Sequence, residues 1–262
     1  KNRNSLLIQN NTKIKTEASY NLMSTMRAGI IVLGPLLARF GKAKVSSPGG
    51  CSIGVRPIDI HLEALKSMGA KYKIVDGYVY ANAKNGLAGA KIKFPKISVG
   101  ATENLMIAAC LARGQTILSN CAIEPEIKDL SNFLISIGAQ IKWIGKRQVK
   151  IIGVKNFKES NYKIMFDRIE AGTMLVAAAV NQNNLKIKGI DPRIISTEIN
   201  ILKKVGAKII QRKDEIHIQG SKKIKNINIK TSPYPGFPTD LQAQMMVLLC
   251  RANKKSVIKE DI

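Results

Sequence analysis

The chain has 262 residues, of which 45% are hydrophobic and 23% charged, and it carries a formal net charge of +24. That balance belongs to a folded chain of one large or two ordinary domains and excludes a disordered polymer. No apolar run approaches the ~20 residues that cross a bilayer, and the start, KNRNSLLIQNN, lacks the apolar segment and cleavage site of a signal peptide, so a cytoplasmic protein is expected.

The basic excess has two readings: an anionic partner, or lysine enrichment alongside abundant Ile and Asn. The lysines are scattered through strand-like segments, and only 5% of residues are aromatic, which leaves few stacking platforms for a single strand. Small phosphorylated anions are therefore the expected partners, not nucleic acid and not a membrane. The four cysteines, Cys51, Cys110, Cys121 and Cys250, show no metal-like spacing and read as free thiols in a reducing compartment. Cys110, Cys121 and Cys250 are assigned to the core.

Taken in chain order, the predicted elements repeat. A helix ending in apolar-Gly-Ala occurs at HLEALKSMGA, SNFLISIGA and INILKKVGA, with Gly69, Gly138 and Gly206 spaced by about 70 residues. Each glycine fits a left-handed position just past a helix end. Each is followed by two short alternating strands: KYKIVDGYVYANA, QIKWIGKRQVKIIGV and KIIQRKDEIHIQG. A second class of helix, small and apolar, alternates with the first: MSTMRAGIIVLGPLLARFG, ENLMIAACLARG, EAGTMLVAAAVNQN and TDLQAQMMVLLCRAN. Each leads into a strand centred near Val45, Ile117, Leu185 or Val257. The predicted unit is strand–helix–strand–helix followed by a strand pair, an α/β repeat. By extrapolation residues 1–11 form the strand pair of an earlier unit, both ends fall inside a unit, and a domain boundary divides residues 1–165 from 166–262.

The segment VSSPGGCSIGVRPIDIH, residues 45–61, departs from the repeat by a Gly-Gly-Cys insertion. Gly49 and Gly50 give backbone freedom, so Cys51 is expected on an exposed loop where nearby Arg56 and the positive field favour its thiolate. Arg27 (in STMRAG) and Arg56 (in RPID) sit at helix beginnings, where a guanidinium and free backbone N–H groups together suit an anion. Asp59 can be a plain first-turn charge. KISVGAT, residues 96–102, offers a lysine, a hydroxyl and backbone amides. In PYPGFPTDLQAQ, Thr239–Asp240 is either a helix N-cap or a rigidly held carboxylate available as a base. His61 and His217 read as structural.

The strings TMRAG, PGGCSIGVRPIDIH, KISVGAT, EPEIKD, DRIEAGT and PYPGFPTDLQAQ, in that order, closely resemble the UDP-N-acetylglucosamine 1-carboxyvinyltransferase family. The resemblance covers nearly the whole chain. It implies two inside-out α/β barrel domains of repeated units, here truncated at both ends, and transfer of the enolpyruvyl group of phosphoenolpyruvate to the 3-hydroxyl of UDP-N-acetylglucosamine, a step of peptidoglycan synthesis. It implies no metal and no redox cofactor. By this likeness Cys51 is the proton donor and the point of attack of fosfomycin-type inhibitors, and Asp240 is the base. Arg27, Arg56, Pro57, Ile58, Asp59, Ile60, Lys96, Ile97, Ser98, Val99 and Ile262 line the substrates. A Lys-Asn pair that the family uses would precede Lys1, and later arginines would follow Ile262, so reduced activity is expected of the chain as it stands. Two other readings are a shikimate-3-phosphate enolpyruvyl transferase, which lacks the cysteine loop, and a non-catalytic basic protein that binds nucleic acid.

Overall fold

A computed structural model describes residues 5–9, 14–24, 26–47 and 58–261. In chain order the elements are β1 (Glu17–Ala18), α1 (Tyr20–Met23), a 3-10 turn at Arg27–Val32, α2 (Leu33–Phe40), β2 (Lys42–Ser46), α3 (Asp59–Ser67), β3 (Lys71–Val75) and β4 (Tyr78–Asn82). The pattern then recurs as β5 (Lys91–Lys93), α4 (Val99–Ala109), β6 (Gln115–Ser119), α5 (Pro125–Ser136), β7 (Gln140–Gly145) and β8 (Gln148–Ile152). It continues as α6 (Arg168–Val180), β9 (Asn184–Lys188), a 3-10 turn at Pro192–Ile195, α7 (Ser196–Lys204), β10 (Lys208–Gln211) and β11 (Glu215–Gln219). The last elements are β12 (Asn228–Lys230), a 3-10 turn at Thr239–Leu241, α8 (Gln242–Leu249) and β13 (Val257–Lys259).

The sheets repeat with the helices. Strand orders β1-β2-β4-β3 and β5-β6-β8-β7 are identical in kind: a parallel pair, then an antiparallel hairpin added to its second strand. The order β10-β11-β9 repeats the antiparallel part, and β12 pairs with β13 in parallel as β5 does with β6. Val45, Ile117, Leu185 and Val257 all fall in the strands that follow the apolar helices. Gly69, Gly138 and Gly206 have φ of +93°, +104° and +113°, so an L side chain there would be strained. The expected strand pair at residues 1–11 differs: residues 6–9 take no regular structure, and residues 1–4 and 10–11 lie outside the described ones. The chain forms two compact units, Lys1–Asn120 with Gly138–Lys158, and Cys121–Ile137 with Glu159–Ile262.

In the first unit the helix, not the sheet, is the buried element. Helix α4 has Leu105, Met106, Ala108 and Ala109 with no exposed surface, because its small residues let neighbours approach on every side. The sheets bury one face through Val45, Val79, Leu118 and Val149 and leave the other to lysines such as Lys42 and Lys71. The period-2 alternation of the strands produces this division. In the second unit Leu175, Ala179, Ile195, Ile199, Ile216, Ile218 and Leu248 form a core of the same kind between helices and sheet. Among the described residues no helix is long and apolar enough to cross a membrane.

Candidate active site

Cys51, Arg56 and Pro57 lie outside the described residues, as does Ile262. The flanks of the cysteine segment are described. Ser47 N–H donates to Gly77 O at 2.7 Å, which ties the end of β2 to the β3–β4 turn. Ile58 caps α3, Asp59 is exposed in its first turn, and Ile60 and His61 are buried. An acidic residue at that position interacts favourably with the helix N-terminus, so the plain first-turn reading of Asp59 is satisfied without excluding another.

Residues 96–99 form the approach to α4. Ser98 is its N-cap: the Oγ accepts from Ala101 N–H at 3.3 Å, and the Ser98 carbonyl accepts from Thr102 Oγ1 at 2.8 Å. The amides of Val99 and Gly100 precede any intrahelical acceptor, and Lys96, three residues before Val99, is exposed. Helices α3 and α4 meet at this end. A Cβ at Gly100 would stand 3.5 Å from His61 Cε1 and 3.7 Å from Nε2. The Lys96–Val99 turn and the Ile58–His61 turn are thus brought together, in an arrangement able to hold a polyanionic group.

Arg27 opens the 3-10 turn Arg27–Val32, and this turn joins the same cluster through Asn104, a residue whose role the sequence did not signal. Asn104 is fully buried on α4. Its Oδ1 accepts from Gly34 N–H at 2.8 Å, and its Nδ2 donates to Ile30 O at 3.3 Å and pairs with His61 Nδ1 at 2.9 Å. Burial pushes the His61 pKa down to about 4, against the opposing charge of Asp59. The ring is neutral at physiological pH.

In the second unit Asp240 lies in the 3-10 turn that precedes α8, is exposed, and makes no hydrogen bond or ion pair among the described residues. Neither the turn nor α8 has a side-chain cap, so the N-cap reading of Thr239–Asp240 fails. The Thr239 hydroxyl donates instead to Glu260, with its Oε1 at 2.8 Å, and Glu260 also accepts from Thr231 Oγ1 at 2.9 Å. Upstream, Gly236 permits the tight turn, since a Cβ there would stand 2.8 Å from the Ser232 carbonyl oxygen.

Behind that turn is a buried charge cluster, unmarked by local pattern. Arg168, only 6% exposed, makes a two-pronged pair with Glu126 at 2.9 Å from both Nε and Nη2, and its Nη1 is 3.8 Å from buried Glu198. Its guanidinium lies 5.8 Å from the Tyr234 ring centroid, and Glu124 accepts from Tyr234 N–H at 3.2 Å. Burial raises the Glu198 pKa, and Arg168 pulls it back only in part. The motifs EPEIKD and DRIEAGT therefore meet here: Asp167 caps α6 through Ile169 N–H and Glu170 N–H, while its neighbour Arg168 turns inward.

Of the remaining thiols, Cys110 and Cys121 are buried as expected, and burial raises the Cys110 pKa to about 12. Cys250 is a correction: it is exposed, because it caps the C-terminus of α8 three and four residues after the exposed Val247 and Met246 and so continues their face of the helix.

Solved structures share this fold. The enolpyruvyl transferase NikO from Streptomyces tendae superposes with a TM-score of 0.81 over 94% of the chain and 59% of its own, at 20% identity. EPSP synthase from Acinetobacter baumannii does so with a TM-score of 0.60 over 88% and 54%, also at 20% identity. Among curated relatives, the UDP-N-acetylglucosamine 1-carboxyvinyltransferase of Pelagibacter ubique is 72% identical over 261 residues, 100% of this chain and 63% of the relative. That of Geotalea uraniireducens is 50% identical over 94% of the chain and 59% of the relative. The chain thus spans about 60% of the length of the curated relatives it matches. Residues 1–262 match the family model described as EPSP synthase (3-phosphoshikimate 1-carboxyvinyltransferase), and the chain belongs to that family of enolpyruvyl transferases.

Proposed function

We propose that the whole protein transfers the enolpyruvyl group of phosphoenolpyruvate to the 3-hydroxyl of UDP-N-acetylglucosamine, releasing inorganic phosphate, as a cytoplasmic step of peptidoglycan synthesis. The observation that carries this reading is the 72% identity, over 261 residues, with a relative named for that activity. The basic character of the chain agrees with two anionic substrates. Neither nucleic acid nor a membrane is a partner in this reading, and residues 1–165 are most of its first domain and 166–262 part of its second.

The chemistry is addition followed by elimination. Cys51 delivers a proton to the methylene carbon of phosphoenolpyruvate, which leaves cationic character on the neighbouring carbon. The sugar oxygen bonds to that carbon as Asp240 takes the hydroxyl proton. Loss of a proton from the new methyl group then expels phosphate and restores the double bond. Asp240 suits a base because it is exposed and unpaired among the described residues, with its neighbour Thr239 anchored to Glu260. Arg27, Arg56, Pro57, Ile58, Asp59, Ile60, Lys96, Ile97, Ser98, Val99 and Ile262 hold the substrates, and the uncapped amides beside Lys96 are suited to phosphate oxygens.

Two measurements test this. Phosphate release by the whole protein should depend on UDP-N-acetylglucosamine and not on shikimate 3-phosphate, and should be lost in Cys51→Ser. Fosfomycin should open its epoxide on the Cys51 sulfur and add one inhibitor mass to the folded protein. Turnover with shikimate 3-phosphate, or a folded protein with no adduct on Cys51, overturns the assignment.

A further inference from the structure

The hydrogen bonds of Asn104 leave no freedom of assignment. Gly34 N–H can only donate, so the Asn104 atom 2.8 Å from it is the amide oxygen. The other side-chain atom is then the NH2 group, and one of its protons goes to Ile30 O, which can only accept. The second proton points at His61 Nδ1, 2.9 Å away, which must therefore be the unprotonated nitrogen. A neutral imidazole with a bare Nδ1 carries its proton on Nε2. That nitrogen has no partner among the described residues and lies on the side of Gly100, in the first turn of α4.

We propose that Asn104 is a positioning residue for the substrate face of the first unit: it fixes His61 as the Nε2–H tautomer, so that this N–H is a permanent donor beside Gly100 in the first turn of α4, and it locks α3 and the Arg27–Val32 turn onto α4. The group that this donor serves is an acceptor oxygen of the nucleotide sugar, a clause that rests on the function proposed above. Three elements that carry expected substrate residues converge on one amide. The Arg27 turn reaches it through Ile30 and Gly34, the Ile58–Ile60 segment through His61, and residues 96–99 through the helix that bears Asn104. Gly34 is part of the device: a Cβ there would stand 2.2 Å from Asn104 Oδ1, so only glycine lets its amide approach.

A long-range 15N–1H correlation spectrum of the whole protein reads the histidine tautomers, and the signals lost in His61→Gln identify those of His61. His61 should show a protonated Nε2 and a bare Nδ1, unchanged between pH 6 and 8. A protonated Nδ1, an averaged pair of shifts, or titration in that range overturns the proposal. Asn104→Asp keeps the size and the acceptor for Gly34 but presents an acceptor to Nδ1. The His61 tautomer should reverse, and KM for UDP-N-acetylglucosamine should rise roughly tenfold with kcat within about threefold of the parent. A reversed tautomer with an unchanged KM overturns the substrate clause. If the variant does not fold, the parent spectrum still decides the tautomer. A parent without turnover on UDP-N-acetylglucosamine sinks the proposed function and leaves the tautomer to be judged by its spectrum alone.

Discussion

Replacing Arg168 with methionine removes the one cation paired with Glu198 among the described residues, and the Glu198 side chain is 5% exposed. Glu126 is 40% exposed and regains water, so the loss falls mainly on Glu198. Breaking a buried pair from one side costs about 3–5 kcal/mol, and the partial exposure of Glu126 places this case near 3. At about 3–4 °C per kcal/mol for a domain of this size, the melting temperature of the second unit should fall by roughly 10 °C. The loss should also depend on pH. The folded-state pKa of Glu198 is already raised by burial, and Arg168 is among the influences that lower it, so its removal moves that pKa further up. Between the ordinary glutamate pKa of 4.5 and the raised value, the folded state holds a proton that the unfolded state has released, so stability declines as pH rises through this window. Arg168→Met should therefore lose most at pH 8 and least at pH 5, and adding Glu198→Gln should flatten the difference. Thermal unfolding followed by circular dichroism at the two pH values measures both effects. A loss below about 1 kcal/mol, or one equal at pH 5 and pH 8, refutes the assignment of Glu198 as the stranded charge.

Other expectations follow from single residues. Gly153→Ala places a Cβ 1.6 Å from the Ala112 carbonyl oxygen and should unfold the first unit, whereas Gly69→Ala meets nothing within 4 Å and should cost only the about 1 kcal/mol of its positive φ. Urea titration of the two variants separates these mechanisms. His61 holds a folded pKa near 4 against 6.5 unfolded, so acidification through that window charges the unfolded state first and should remove about 3 kcal/mol from the first unit. Comparing urea midpoints at pH 7 and pH 4.5 in the parent and in His61→Gln isolates this share. Ellman's reagent should modify Cys250 in the native protein, while Cys110 and Cys121 should react only in denaturant. Peptide mapping assigns the labelled thiols.

The repeat was open to reading because it is written in local signals. A glycine that must adopt positive φ after an apolar helix, and alternation across a strand pair, each depend on a few neighbouring residues, and both recur every 70 residues or so. Asn104 and Arg168 carry no such mark. The partners of Asn104 lie 43, 70 and 74 residues away and those of Arg168 lie 42 and 30 away, so what satisfies each buried polar group is decided by folding. A polar residue inside ENLMIAAC or beside a cap in DRIEAGT is visible as an anomaly, but the anomaly does not name its partner. The core assignment of Cys250 and the N-cap reading of Thr239–Asp240 failed for a related reason: an apolar helix does not say which of its sides is covered, and a hydroxyl before a helix does not say whether a nearer carboxylate will claim it.

The repeat also explains where specificity can reside. In the second repeat, β6 passes to α5 through a short link ending in the buried Glu124, and the corresponding link in the first repeat carries PGGCSIGVRP. The sheets on either side keep the same strand order, so the insertion is tolerated at the one connection that leaves both the parallel pair and the hairpin intact. Its two anchors are then the end of β2, held by the Ser47–Gly77 hydrogen bond, and the start of α3, held two residues later by His61 on Asn104. A segment between fixed ends can change length or chemistry without disturbing the core. The buried amide at Asn104, by fixing the α3 end, is a condition of that freedom.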